Sequence, residues 1–200
     1  SKTHYVRNLP DGSSQRYDLQ GKITHQYDKS GNFLKFLYEN ELLTQIEDNN
    51  SRKLFFKYYP NKKIKQITGP NNLITEYKYS SQEDLIWNKN AWAKKDTDVY
   101  TYTYNEFHNL TKATWPDKTS VEIQYDNIKD WVVKFTDREN CIENYKYEFS
   151  KTDPKNHYWS TVVKTCEGKE VAKNRFEFWH KQLASGEIVL IFAGIYFPST

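Results

Sequence analysis

The chain has 200 residues, 37% hydrophobic and 28% charged, and its 29 basic and 26 acidic side chains leave a net charge of +3. That length can bury a core of its own, and a weak net charge with both signs interleaved lacks the basic stripe of a nucleic-acid binder. Aromatic residues make up 16% of the chain, which excludes ordinary disorder and points to pleated, half-buried surface.

In chain order, Pro10-Asp11-Gly12 is the first turn signal, ahead of Arg16-Tyr17-Asp18. Tyr27-Asp28 leads into a second, Lys29-Ser30-Gly31-Asn32. Residues 39–54 carry Leu42, Leu43 and Ile46 among acidic neighbours, which leaves room for a helical turn. Phe56-Lys57-Tyr58 precedes Pro60-Asn61, and the densest basic run, Lys62-Lys63-Ile64-Lys65, reads as an exposed strand face. Gly69-Pro70-Asn71-Asn72 separates this from Tyr77-Lys78-Tyr79. Residues 80–98 hold Trp87 and Trp92 between charged flanks and read as a longer loop or an inserted hairpin.

Tyr100, Tyr102 and Tyr104 then alternate with Thr101 and Thr103. Pro116-Asp117-Lys118 leads to the alternating stretch Val121–Tyr125, and Tyr145, Tyr147 and Phe149 alternate with Lys146 and Glu148. Glu167-Gly168-Lys169 is a further turn signal. A period of two marks strands with one face buried. Pro presets φ at a turn, and Gly or Asn accepts positive φ. Connections this short force antiparallel hairpins in series. From Ile188 to Phe197 nearly every residue is apolar. The run is too short for a membrane-spanning helix and reads either as a buried terminal strand pair broken at Gly194 or as an adhesive surface.

The aromatic–x–aromatic strands repeat. Taking the second aromatic of each, with Tyr27, the positions are 27, 58, 79, 104, 125, 147 and 178, with gaps of 31, 21, 25, 21, 22 and 31. This predicts a unit of 21 to 22 residues with insertions in three places, and repeats of that kind bury their faces only against their neighbours.

Tyr27-Asp28-Lys29-Ser30-Gly31-Asn32-Phe33 and Pro10-Asp11-Gly12 with Arg16-Tyr17-Asp18 resemble the YD repeat of RHS proteins. That family includes the C components of insecticidal toxin complexes and, more distantly, the teneurins. Tyr104-Asn105-Glu106-Phe107-His108-Asn109-Leu110 is similar, with Asn for Asp and His for Gly, and Tyr125-Asp126 keeps the dipeptide without the Gly. The resemblance covers residues 5–180. It implies an all-β fold of tandem antiparallel hairpins in a curved or spiralling sheet, part of an RHS-type shell of bacterial origin. The expected organisation is a YD-repeat β domain over 1–182, with an apolar segment over 183–200 packed on it.

The five histidines, His4, His25, His108, His157 and His180, are scattered, without metal-ligand spacing, and most read as surface or turn residues. There is no nucleophile elbow, P-loop or dinucleotide fingerprint. Asp137, Glu139 and Glu143 lie in or beside a turn and read as solvated charge, not as a hydrolytic pair. The only Asp-Pro, Asp153-Pro154, lacks the surroundings of the family's autoprotease block. Cys141 and Cys166 lie in neighbouring hairpins, where a disulfide is geometrically feasible, although two half-buried thiols are the plainer expectation.

The expected function is therefore a non-enzymatic wall segment of a shell that serves toxin delivery or cell-surface contact. No cofactor, no metal, no nucleic acid and no membrane span are expected. The alternative is a carbohydrate- or protein-binding adhesion module, with Trp87, Trp92, Trp115 and Trp159 as ligand-binding residues, because exposed indoles stack on sugars or fill partner pockets. Expected partners are the remainder of a larger RHS-type protein or a second copy joined through open strand edges. The expected location is secreted or at the cell surface. The absence of Met and of a leader pattern predicts a processed chain or a piece of a longer one.

Overall fold

A computed structural model describes residues 3–196. They form 17 β-strands and a single short 3-10 turn, Pro70–Asn72. The chain divides into two compact units, 1–100 and 101–200.

In the first unit the strands are β1 (Tyr5–Asn8), β2 (Ser14–Tyr17), β3 (Ile23–Tyr27), β4 (Phe33–Glu39), β5 (Leu42–Asp48), β6 (Lys53–Tyr58), β7 (Ile64–Thr68), β8 (Ile74–Tyr79) and β9 (Leu85–Lys89). Each pairs antiparallel with the next. The second unit repeats the pattern with β10 (Val99–Tyr104), β11 (Leu110–Thr114), β12 (Ser120–Tyr125), β13 (Val132–Thr136), β14 (Ile142–Phe149), β15 (His157–Cys166), β16 (Lys169–Gln182) and β17 (Ile188–Tyr196). The all-β expectation of hairpins in series holds in both units. The stretch 39–54 is not helical. Asn40 and Glu41 both take positive φ and turn β4 tightly into β5, a conformation that matches strand twist and that a helix cannot use.

Side chains alternate in burial along the strands, as in Ile74–Tyr79 and Val121–Tyr125, but few reach the interior. Ala113 is the one buried apolar residue among those described. Stability therefore rests on half-buried cross-strand contacts, turn chemistry and hydrogen bonds more than on a two-layer core.

The turns share one geometry. At 18–22, 28–32, 48–52, 80–84, 105–109 and 137–141 the first residue's N–H donates to the fifth carbonyl, and the fourth N–H donates back to the first. The fourth residue always has positive φ: Gly21, Gly31, Ser51, Glu83, His108 and Asn140. The first is Asp, Asn or Ser because its side-chain oxygen accepts two further backbone N–H groups. Asp28 Oδ1 takes those of Ser30 and Asn32 at 2.8 and 2.9 Å, and Asn105 Oδ1 takes those of Phe107 and Asn109 at 3.0 Å each. This is why Asn105 can replace Asp after its tyrosine: the turn needs an acceptor, not a charge. In the Pro-type turns the acceptor moves to the third position, where Asp11 Oδ1 takes the Ser13 N–H at 3.0 Å and Asp117 Oδ1 takes that of Thr119 at 3.0 Å.

Candidate functional site

The feature that joins one repeat to the next is a tyrosine at a bulge. In the hairpins β2/β3, β4/β5, β6/β7, β8/β9, β10/β11 and β12/β13 the pairing shifts by one residue just before Tyr17, Tyr38, Tyr58, Tyr79, Tyr104 and Tyr125. The intervening hairpins β3/β4, β5/β6, β7/β8 and β11/β12 are in unbroken register. Within each unit, bulges on alternate hairpins fall at one edge of the meander, where each bends its strand and increases the local twist.

The hydroxyls then tie neighbouring repeats. Tyr58 Oη donates to the Leu43 carbonyl at 2.7 Å, Tyr125 Oη to that of Leu110 at 2.9 Å, and Tyr147 Oη to that of Val132 at 2.9 Å. Leu43, Leu110 and Val132 are the residues paired with the bulge tyrosines Tyr38, Tyr104 and Tyr125. In these three cases a repeat closes the bulge of the one before it. Burial raises the phenol pKa of Tyr58, Tyr125 and Tyr147, so these hydroxyls stay protonated donors. Replacing Tyr125 with Phe should cost about 1–2 kcal/mol, the loss of a hydrogen bond plus an orphaned carbonyl, read as a shift in the denaturant midpoint with an unchanged slope.

This geometry corrects the phase of the repeat. The bulge tyrosines stand at 17, 38, 58, 79, 104 and 125, so the gaps are 21, 20, 21, 25 and 21. Tyr27 belongs to the opposite edge, where it pairs with Phe33 without a bulge. Between Tyr17 and Tyr125 one insertion remains, between Tyr79 and Tyr104. The signal in the sequence is Tyr38-Glu39, which carries Glu where the motif has Asp.

Side chains also stitch turn to turn along each edge. Asn49 Nδ2 donates to Asn32 Oδ1 at 3.2 Å, Arg138 Nη2 to Asp117 Oδ2 at 2.6 Å, and Asn109 Nδ2 to Asp130 Oδ1 at 2.9 Å. Four of the capping carboxylates, Asp28, Asp48, Asp117 and Asp137, lie below their ordinary pKa. The Asn32 side chain does this for Asp28, the Arg52 N–H for Asp48, the Thr119 hydroxyl for Asp117 and the Lys164 ammonium for Asp137. A depressed folded-state pKa adds stability above the unfolded value, near 3.9, and this is lost as pH falls through the folded one. Thermal melts should hold steady from neutral pH to about 5 and drop below about pH 4.

Asp137 and Glu143 both meet Lys164 Nζ, at 2.8 and 3.6 Å, and the Tyr145 hydroxyl donates to Glu143 Oε2 at 2.7 Å. Among the described residues, no group of three or more His, Cys, Asp or Glu side chains is placed to hold a metal ion. His157 departs from the surface expectation. It is buried, its Nε2 lies 2.6 Å from Glu177 Oε1, and its ring stacks on Trp179 at 3.6 Å with Trp159 at 4.2 Å.

The four tryptophans expected to bind ligand occupy separate positions. In the first unit, Trp87 lies in β9 under Lys78 Nζ, 4.3 Å from the ring centroid, while Trp92 sits in the loop after β9 and is 79% exposed. In the second, Arg138 covers Trp115 at 4.8 Å, and Arg175 covers Trp159 at 5.0 Å. Cations therefore occupy one ring face of Trp87, Trp115 and Trp159.

Cys141 and Cys166 form a disulfide, which corrects the expectation of free thiols. Turn 137–141 and the register of β14 on β15 place the two residues directly opposite each other, a relation that spacing alone does not reveal.

Bulged hairpins in series, Asp-capped turns and inter-repeat tyrosine bonds define the class: a structural YD-repeat scaffold. The family model Teneurin YD-shell matches residues 5–172, and the chain belongs to that family. No curated protein matches it. Among solved structures it is similar to TcdB2-TccC3 without its hypervariable C-terminal region (11% identity, TM-score 0.45, 98% of this chain and 15% of that one). TcdB2-TccC3 itself follows, at 11% identity and TM-score 0.41 over 93% and 14% of the two chains. A Photorhabdus luminescens Tc holotoxin pore matches at 11% identity and TM-score 0.40 over 94% and 14%. The chain thus spans about a seventh of the length of these structures. No described helix is long and apolar enough to cross a membrane.

Proposed function

We propose that this chain is a wall segment of an RHS-type shell and does no chemistry of its own. The observation that carries this reading is β17. It pairs with β16 on one side, and no other described strand of the second unit lies along its free edge. Ile188, Leu190 and Phe192 on one face are 69%, 55% and 52% exposed, and Ile191 on the other is 41% exposed. A strand apolar on both faces is normally covered on both, and an uncharged open edge is a template for a further strand. Such a strand is suited to the interior of a larger sheet, supplied by more of an RHS-type protein or by a second copy. The disulfide agrees with maturation in an oxidising compartment, and so with a secreted or cell-surface shell that serves toxin delivery or cell contact.

Light scattering coupled to size-exclusion chromatography tests this. The wild-type chain is expected to self-associate at high concentration, and Leu190→Lys to return it to a monomer, because a charge on the edge blocks strand addition. A wild-type chain that stays strictly monomeric at high concentration would overturn the reading.

A further inference from the structure

The one interval that breaks the rhythm of the bulge tyrosines is the 25 residues between Tyr79 and Tyr104, against 20 or 21 elsewhere from Tyr17 to Tyr125. The surplus falls in the loop 90–98, which follows β9. Here nine residues stand where the comparable turn after β7 needs about five.

The insertion is held in shape. Buried Asn88 donates from Nδ2 to Asn90 Oδ1 at 2.9 Å, fixing the loop's entry. Asp98 Oδ2 accepts the N–H groups of Lys94 and Lys95 at 3.1 and 3.0 Å. Lys89 Nζ reaches Asp96 Oδ1 at 2.5 Å. Trp92 stands out from this frame between Ala91 and Ala93, 79% exposed. The other five tryptophans each have a cation or another ring against them. Trp92 has neither.

We propose that the 90–98 loop is a docking element. Trp92 is its anchor, entering an apolar pocket rimmed by carboxylates on a protein partner. A preformed loop presenting one bare indole loses little entropy on binding, and buried Trp anchors dominate interface energies. The rim chemistry follows from Lys94 and Lys95, both exposed in the same loop two and three residues after Trp92. A sugar is a poorer fit, because one oxygen of Asp96 is held by Lys89 and one of Asp98 by the Lys94 and Lys95 N–H groups. A membrane surface is also a poorer fit: across 89–98 three lysines and two aspartates leave 3 − 2 = +1, too little charge to hold an anionic surface. The inference does not depend on what covers β17.

A phage-displayed random peptide library selected on the wild-type chain supplies the probe. Selected peptides should combine apolar and acidic residues. They should lose about thirty-fold or more in affinity on Trp92→Ala and weaken on the double change Lys94→Glu with Lys95→Glu. The melting temperature of Trp92→Ala should stay close to wild type, since the residue is 79% exposed. The proposal is overturned if no peptide enriches, or if the enriched peptides bind Trp92→Ala as well as wild type. It is also overturned if Trp92 instead governs binding to a glycan array or to vesicles of phosphatidylcholine with phosphatidylserine.

Discussion

Replacing Cys141 and Cys166 together with alanine is expected to lower the unfolding free energy by about 3.5 kcal/mol, the chain-entropy value for a loop of this size. The bridge spans a sequence separation of 25 and encloses the whole β14/β15 hairpin, where Ile142 pairs with Thr165. Its Cα–Cα distance of 4.4 Å matches the close, non-hydrogen-bonded pairing of an antiparallel ladder, so the bond forms without moving the strands. A loss of that size is a large share of ordinary domain stability. It weighs more here because Ala113 is the single buried apolar residue described. Denaturant melts with and without reductant check this. Reductant should shift wild type to the position of the double variant and leave the variant unmoved. Equal midpoints for all samples would show that the hydrogen-bonded ladder and the Lys164 contacts with Asp137 and Glu143 suffice.

Trp131→Ala is expected to cost about 2–3 kcal/mol, below the 3–5 of a fully buried aromatic because the ring is half-buried. Trp131 follows the turn that starts at Asp126 and packs against Tyr147, Phe149 and Tyr158 at centroid distances of 4.6, 5.4 and 6.2 Å. Tyr158 continues the layer to Phe178 at 5.2 Å, and Phe178 to Phe192 at 5.8 Å. One face of β14 to β17 is thus a continuous aromatic sheet with Trp131 at its margin. Removing the indole strips contacts from three rings at once, whereas Trp131→Phe keeps most of them. Equilibrium denaturation of the two variants, with Trp92→Ala as a surface control, reads the difference. If Trp131→Ala matched Trp92→Ala, the ring contacts would add nothing beyond area.

The hairpin character of the chain was legible because its causes are local. Alternation in Val121–Tyr125 dictates which face of a strand is covered whatever lies beyond it. An Asp, Asn or Ser at the head of a turn caps backbone N–H groups no more than four residues away. The 21-residue period and the family resemblance follow from the same short-range rules. In residues 39–54, Leu42, Leu43 and Ile46 also fit a helical spacing, which positive φ at Asn40 and Glu41 and the pairing of β5 with β4 and β6 exclude.

What the tertiary structure decided depends on register. Whether Tyr27 or Tyr38 carries the repeat turns on which hairpins bulge, and a one-residue shift reverses the facing of a strand. The pairing of Cys141 with Cys166, the stacking of His157 on Trp179, and the cations over Trp87 and Trp159 are all cross-strand relations. They join residues that are remote in sequence and that only the ladder brings within a few ångströms. By itself, then, the sequence determined strands, turns, period and family, because backbone-local chemistry sets them. The assembled sheet decided which side chains meet, and so which tryptophans carry a cation on one face.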